Sequence, residues 1–340
     1  MPANTAPVPF HPHPLLCHPH LMTVLPRFRP RASLLKGAPV EARLFTVAPH
    51  SQILGYCHWQ PNPQQHRTVI LLHGFEGCSD SHYMLGTGDK AWRAGLNVVR
   101  LNQRNCGGTE HLTPTLYHSG LSADVAAVVS ELAAKDGLGS IWLAGYSMGG
   151  NLVLKMAGEA GASAPALRGV VAVSPNIDPA ACVAALERPT NWFYQRYFLT
   201  HTKARLRRKA VHFPGKLDLH LLDKITTLRE FDETYTAPDG GFHSAADYYE
   251  RVGARHVLAR IQVPTLLITA QDDPFIPFAI FQHPAIRANG RITLLAPRQG
   301  GHCGFLQQPR RDEDAYWAEN RLVECIVNTE DRDAGRAERS

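Results

Sequence analysis

The chain has 340 residues, and 35 Lys and Arg against 30 Asp and Glu give a formal charge of +5. Hydrophobic residues at 44% and charged residues at 19% exclude wholesale disorder, and neither the Gly period of collagen nor the heptad excess of a coiled coil is present. Five excess positive charges over this length do not by themselves predict a nucleic-acid partner.

Residues 1–38 form a Pro- and His-rich arm containing Pro2, Pro7, Pro9, Pro12, Pro14, Pro19, Pro26 and Pro30. So many fixed φ angles and missing donors predict an extended arm and not a helix. His11, His13, Cys17, His18 and His20 are a conceivable metal set. The prolines between them prevent a compact ligand spacing, so an arm packed on a domain surface is expected. The seven cysteines form no CxxC pair and are odd in number, which reads as free thiols in a reducing compartment. No run approaches 18 apolar residues and no basic-then-apolar leader opens the chain, so a soluble cytoplasmic protein is expected.

Residues 41–60 hold two apolar runs, ARLFTV and ILGYCHW, on either side of PHSQ, which predicts an antiparallel hairpin. Short apolar runs then recur at 68–74, 96–102, 140–147, 169–175, 264–270 and 291–297. Their Val, Ile and Leu content is that of strands buried on both faces. Helical-period segments lie between several of them, at 83–95, 120–135, 149–160, 278–288 and 311–328. Strand, helix, strand in that order implies right-handed crossovers, hence an α/β fold with a mostly parallel central sheet flanked by helices. From Asp178 to Arg260 no strand-like run occurs, and aromatic and basic helical stretches take its place. The expected organisation is a catalytic α/β domain over 39–177 and 261–330, a helical cap insertion over 178–260 above the C-terminal edge of the sheet, and a flexible tail over 331–340.

The chemistry centres on GYSMG, residues 145–149, between a strand-like run and a good helix former. Gly-x-Ser-x-Gly at a strand-to-helix turn is a nucleophile elbow, with glycines where side chains would collide with neighbouring elements. Ser147 is therefore the candidate nucleophile. A serine hydroxyl needs a base held by an acid, following in the order Ser, acid, His. Asp272 and Asp273 both lie after the run at 264–270; Asp273 is favoured because it precedes Pro274 and is held extended. Asp272 remains an alternative and Asp178 a remoter one. His302, in GGHCGF after the last apolar run, is the candidate base among 18 histidines. The backbone N–H groups of Met148 and Phe75 are the candidate oxyanion donors, Phe75 because HGFEG turns out of the run at 68–72.

With these elements in this order the chain resembles the α/β-hydrolase superfamily, and within it the YheT-like branch of esterases (the AB hydrolase 4 family). The matching pieces are HPHLMTVLP at 18–26, HGFEG at 73–77, RNCGG at 104–108, YHSG at 117–120, GYSMGGN at 145–151, DDPF at 272–275 and GGHCGF at 300–305. The resemblance implies Ser147 as nucleophile, Asp273 as acid and His302 as base, and carboxylic-ester hydrolysis without a settled natural substrate. Met148 stands where the family pattern has Leu, which leaves its N–H role untouched. RNCGG is expected to form the tight loop after the run at 96–102, and Tyr117, His118 and Ser119 to cap the helix beginning near 120, with a part in lining the pocket as the alternative for both segments.

The expected activity is that of a serine esterase on short- or medium-chain acyl esters or acylglycerol-like lipids. Acyl transfer through the same residues is an alternative, and a non-catalytic receptor with the same fold a remoter one. No nucleotide or metal motif occurs, so no cofactor is expected. The partner is a small-molecule ester. Trp192, Phe193, Tyr194, Tyr197 and Phe198 would suit an acyl chain or form the cap's own core. The basic run KARLRRK at 203–209 would contact lipid or, as the plainer expectation, lie on a solvated helix face.

Overall fold

Short runs of Val, Ile and Leu become strands here because each can be covered on both faces. A computed structural model describes residues 8–29, 31, 35, 37–310 and 313–329. Eight strands form one sheet: β1 (Glu41–Ala48), β2 (Ser51–His58), β3 (Thr68–Leu72), β4 (Asn97–Leu101), β5 (Ile141–Tyr146), β6 (Leu167–Val173), β7 (Thr265–Ile268) and β8 (Ile292–Leu295). Their spatial order is β1-β2-β4-β3-β5-β6-β7-β8. The β1–β2 hairpin and its junction with β4 are antiparallel, and all other pairings are parallel. Every residue of β3, β4, β5 and β7 is buried, whereas edge strand β8 is only half-buried.

Side chains alternate between two apolar layers, as the pleat requires. Ile70, Leu143 and Val170 face one layer with Val128 and Leu132 of α3 (Ser122–Asp136, following α1, Pro19–Phe28, and α2, His82–Arg93). Leu152 and Val153 of α4 (Met148–Ala160) complete that layer. Val69, Trp142 and Val171 face the other layer, with Met84 of α2 and Leu322 of the helix Trp317–Asn328. Each such side chain stabilises the fold by about 1.5–3 kcal/mol on burial. The result is a three-layer α/β sandwich in which the C-terminal ends of the parallel strands open toward one edge.

The arm departs from the extended segment expected of it, since α1 is a ten-residue helix. Pro19 sits at the first helical turn, where a missing N–H costs nothing. Pro26 is only two residues from the C-terminal end, so the carbonyl it leaves unpaired is that of Met22, on the last turns. That carbonyl lies against Gly304, where a Cβ would come within 1.9 Å of it. Residues 1–7 of the arm and the expected flexible tail 331–340 lie outside the described residues.

Among the described residues, 178–260 contain no strand. Asp178 caps α5 (Pro179–Leu186), and its carboxylate accepts the Ala181 N–H. The 21-residue α6 (Trp192–His212) follows, then short turns and a helix at Ala245–Val252. α6 lies over loops at the C-terminal strand ends, touching Glu76 after β3 and Asn105 after β4. Its basic run is a solvated face only in part, at the exposed Arg207 and Arg208. Lys203 donates to the Ile225 carbonyl at 2.6 Å, Arg205 pairs with Glu76, Arg207 with Asp223, Arg208 with Glu110, and Lys209 donates to Asn105 and to the Thr113 carbonyl. Arg205 and Lys209 are buried. No helix among the described residues is long and apolar enough to cross a membrane.

Candidate active site

The candidate nucleophile sits where β5 turns into α4. Ser147 has φ 53° and ψ −117°, a strained conformation for a residue with a side chain. Two close approaches enforce the glycines around it. A Cβ on Gly145 would lie 2.2 Å from the Gly149 carbonyl oxygen, and one on Gly149 would lie 2.5 Å from that of Leu72. The Ser147 N–H donates to the Val173 carbonyl at 2.8 Å, which fixes the turn to the end of β6.

Two carboxylates follow β7, and the structure separates them. Asp273 Oδ2 lies 2.8 Å from His302 Nδ1, while its Oδ1 accepts the N–H groups of Phe275 and Ile276 at 3.1 and 2.9 Å. Its side chain is fully buried. Asp272 instead accepts the Gly301 N–H at 2.9 Å, and burial pushes its carboxyl upward. Asp178 pairs with Arg255. Of the three candidate acids, the structure brings Asp273 to the imidazole.

His302 is placed by both ends of the chain. Its backbone N–H donates to Thr23 Oγ1 of α1 at 2.8 Å. Gly301 has φ 59° and packs against α1, where a Cβ would meet the Pro19 carbonyl at 2.6 Å. The next residue, Cys303, carries its Sγ to 3.9 Å from the same Val173 carbonyl that holds Ser147, so the two loops converge on one point. Burial works to lower the His302 pKa, but the neighbouring Asp273 carboxylate and, after it, the Cys303 sulfur outweigh burial and raise it above the usual histidine value.

The loop after β3 carries one candidate donor. His73 is buried, and its Nε2 accepts the Gln103 N–H at 3.1 Å. Burial takes its pKa down to about 4, so the ring is a neutral strut. Gly74 N–H donates to Tyr83 Oη, Glu76 N–H to Tyr117 Oη, and Gly77 N–H to the Gly74 carbonyl. Between them, the Phe75 N–H has no hydrogen-bond partner among the described residues, and nor does that of Met148 at the first position of α4. The side chains of Phe75 and Met148 meet in one small cluster with Tyr117 and Cys106.

Part of the cap's aromatic content belongs to this site. The Phe275 ring is 4.2 Å from that of His302, Phe198 of α6 meets Phe275 at 6.1 Å and Phe75 at 5.5 Å, and Tyr194 meets Phe275 at 4.9 Å. Trp192 is exposed, and Tyr197 bonds Arg27 of α1.

RNCGG forms the expected tight loop, with Asn105, Gly107 and Gly108 at positive φ and Arg104 paired to Asp124. YHSG does not cap α3, whose N-cap is Leu121 without a side-chain bond. The Tyr117 hydroxyl reaches Glu76 instead, because the loop passes beneath α6 before the helix begins. Thr23, Glu76, Tyr117 and Arg205 were not singled out by sequence for the site. Each acts through a partner far away in the chain, and the segments HPHLMTVLP, HGFEG, YHSG and KARLRRK that contain them were the local signals. All seven cysteines are free thiols. No group of three or more His, Cys, Asp or Glu among the described residues is arranged to hold a metal ion.

Known proteins provide an independent comparison. Residues 67–309 match the family model described as the alpha/beta hydrolase fold. The chain is 32% identical over 313 residues to "Putative esterase YheT" of Escherichia coli K12, covering 91% of this chain and 90% of that protein. It is also 32% identical over 241 residues to "Phospholipase ABHD3" of the mouse, where the match spans 71% of this chain but only 58% of the relative. The Pyrococcus furiosus esterase Pf2001 superposes with a TM-score of 0.56 at 17% identity over 86% of this chain and 95% of its own, a likeness of fold.

Proposed function

The chain belongs to the α/β-hydrolase family, in its YheT-like branch, and from that premise we propose that it cleaves carboxylic esters through Ser147, Asp273 and His302. The observation that carries the proposal is the 2.8 Å contact between His302 Nδ1 and the buried Asp273 carboxylate, on a loop whose Cys303 approaches the same Val173 carbonyl as the strained Ser147 turn. With Nδ1 engaged by Asp273, Nε2 of the neutral imidazole is left to take the Ser147 proton.

Ser147 Oγ then attacks the ester carbonyl, and the N–H groups of Phe75 and Met148 receive the oxyanion. His302 returns the proton to the departing alcohol, leaving an acyl-serine. It next deprotonates a water that releases the acid, and Asp273 stabilises the imidazolium formed in each half-reaction. The aromatic wall of Phe75, Phe198, Tyr194 and Phe275 supports an apolar acyl group of short or medium length, or an acylglycerol-like lipid, as substrate.

Ser147→Ala is expected to lower kcat on a p-nitrophenyl ester of short or medium chain by a factor on the order of 10^4–10^6. Labelling by a fluorophosphonate should be lost with it. Full activity in that variant rules the proposal out.

A further inference from the structure

Glu76 is a glutamate at φ 55°, immediately after the residue whose N–H is proposed to receive the oxyanion. Left-handed backbone is uncommon for such a residue, so something must hold it. The Glu76 N–H donates to Tyr117 Oη at 3.0 Å, and the same hydroxyl donates back to Glu76 Oε1 at 3.1 Å. Oε1 also accepts Thr202 Oγ1 at 2.8 Å and Arg205 Nη2 at 2.9 Å, both from α6. The Glu76 and Arg205 side chains are only 6% and 5% exposed. Burial works to raise the Glu76 carboxyl, but Arg205 outweighs it and holds the group below the usual carboxylate range, so it stays ionised. The Arg205 guanidinium lies 4.3 Å from the centre of the Tyr117 ring, and the Phe75 ring stacks on that ring at 5.9 Å and 17°. Phe75 is thus fixed twice, through its own ring and through the next residue's N–H.

We propose that Glu76 is a positioning residue for oxyanion stabilisation, clamped by Tyr117 and by Arg205 and Thr202 of α6, so that the inserted cap helps to assemble the oxyanion site. This rests on the esterase reading above and deepens it. The clamp touches no reacting atom. Its effect is to aim the Phe75 N–H, the only amide among residues 74–77 left without a partner among the described residues. A buried ion pair serving only to glue the cap down would not need the left-handed turn, nor the bond from the loop's own Glu76 N–H to the Tyr117 hydroxyl.

The test compares Glu76→Gln, Tyr117→Phe, Arg205→Met and Arg205→Lys with the wild-type enzyme and with Ser147→Ala. The readouts are kcat and KM on a p-nitrophenyl ester, and affinity for a trifluoromethyl ketone. That ketone bonds to Ser147 Oγ as its carbonyl oxygen becomes an oxyanion and the serine proton passes to His302. Tyr117→Phe and Glu76→Gln are expected to lower kcat by about 10- to 100-fold, a part of what losing an oxyanion donor outright costs. KM should stay within about twofold, and ketone affinity should fall by the same factor as kcat. Arg205→Lys should recover part of what Arg205→Met loses. A Tyr117→Phe enzyme with wild-type kcat and ketone affinity overturns the proposal, even if Glu76→Gln fails to fold. Full activity in Ser147→Ala overturns the esterase reading, and this inference with it. An inactive Ser147→Ala beside an unaltered Tyr117→Phe overturns this inference alone.

Discussion

The sheet meets its flanking helices through apolar burial, whereas α6 of the inserted segment adds buried charge to its apolar contacts. Around β3, β5 and β6 the contacts are apolar and buried, Leu143 and Val170 in one layer and Trp142 and Val171 in the other. α6 puts Leu199 and Leu206 into the same apolar layer, and it also meets the loops at the strand ends through charge and hydrogen bonds: Arg205 to Glu76, Arg208 to Glu110, Lys209 to Asn105. Apolar burial is non-directional and scales with area, so it gives the core stability with tolerance. A desolvated ion pair adds little net stability but penalises heavily any geometry that leaves one partner alone. In this chain the tolerant contacts build the platform, and the exacting ones lie against the loops of the proposed chemistry.

The contrast can be broken first at the platform's edge, where the largest effect is expected. Asp273→Asn should lower kcat by roughly 10^4, since the imidazole loses the partner that fixes its tautomer, while Asp272→Asn should stay within about tenfold. The pH profile gives a second readout of the same contact. His302 must be neutral to act as base, so kcat/KM falls as pH drops through its pKa. Asp273 raises that pKa, so the acid limb of the wild type should lie above the ordinary histidine range. In Asp273→Asn the residual activity should persist to lower pH.

A smaller effect, and of another kind, is expected inside the platform. Leu143 is fully buried in the central strand, and Leu143→Ala should cost about 2–5 kcal/mol in denaturant unfolding. The kcat of the molecules still folded should be nearly unchanged. A loss of kcat with unchanged stability would mean that the core is not the tolerant region described here. The smallest effect belongs to the cap's aromatic contact. Phe198→Ala removes the ring between Phe75 and Phe275 and should raise KM for medium-chain esters by about 10-fold, corresponding to about 1.4 kcal/mol, with little change for acetyl esters. Equal effects on both substrates would make Phe198 a packing residue of the cap.

Much of the platform was legible along the chain. Each apolar run predicted as a strand overlaps one, because a strand covered on both faces needs a continuous apolar sequence. GYSMG announced its turn because a side chain at Gly145 or Gly149 would collide with backbone, a constraint written in neighbouring residues. The local inferences that failed, in whole or in part, did so for definite reasons. Proline count predicted an extended arm, but what matters is where prolines fall in a helix, and Pro19 and Pro26 fall near the two ends of α1. The basic run 203–209 read as a solvated face because its partners lie elsewhere: Glu76 is 129 residues from Arg205, and Asn105 is 104 from Lys209.

The sequence by itself determined the α/β class, the strand order along the chain and the candidate residues Ser147, Asp273 and His302, since short-range sterics, hydrophobic period and motif order are local properties. Only the tertiary structure decided which of two adjacent aspartates reaches the imidazole, that α1 holds the His302 loop through Thr23, and that Arg205 of α6 pairs with Glu76 in the loop that carries Phe75. A hydrogen bond or ion pair depends on distances of a few ångströms between groups that the chain places far apart, and only folding sets those distances.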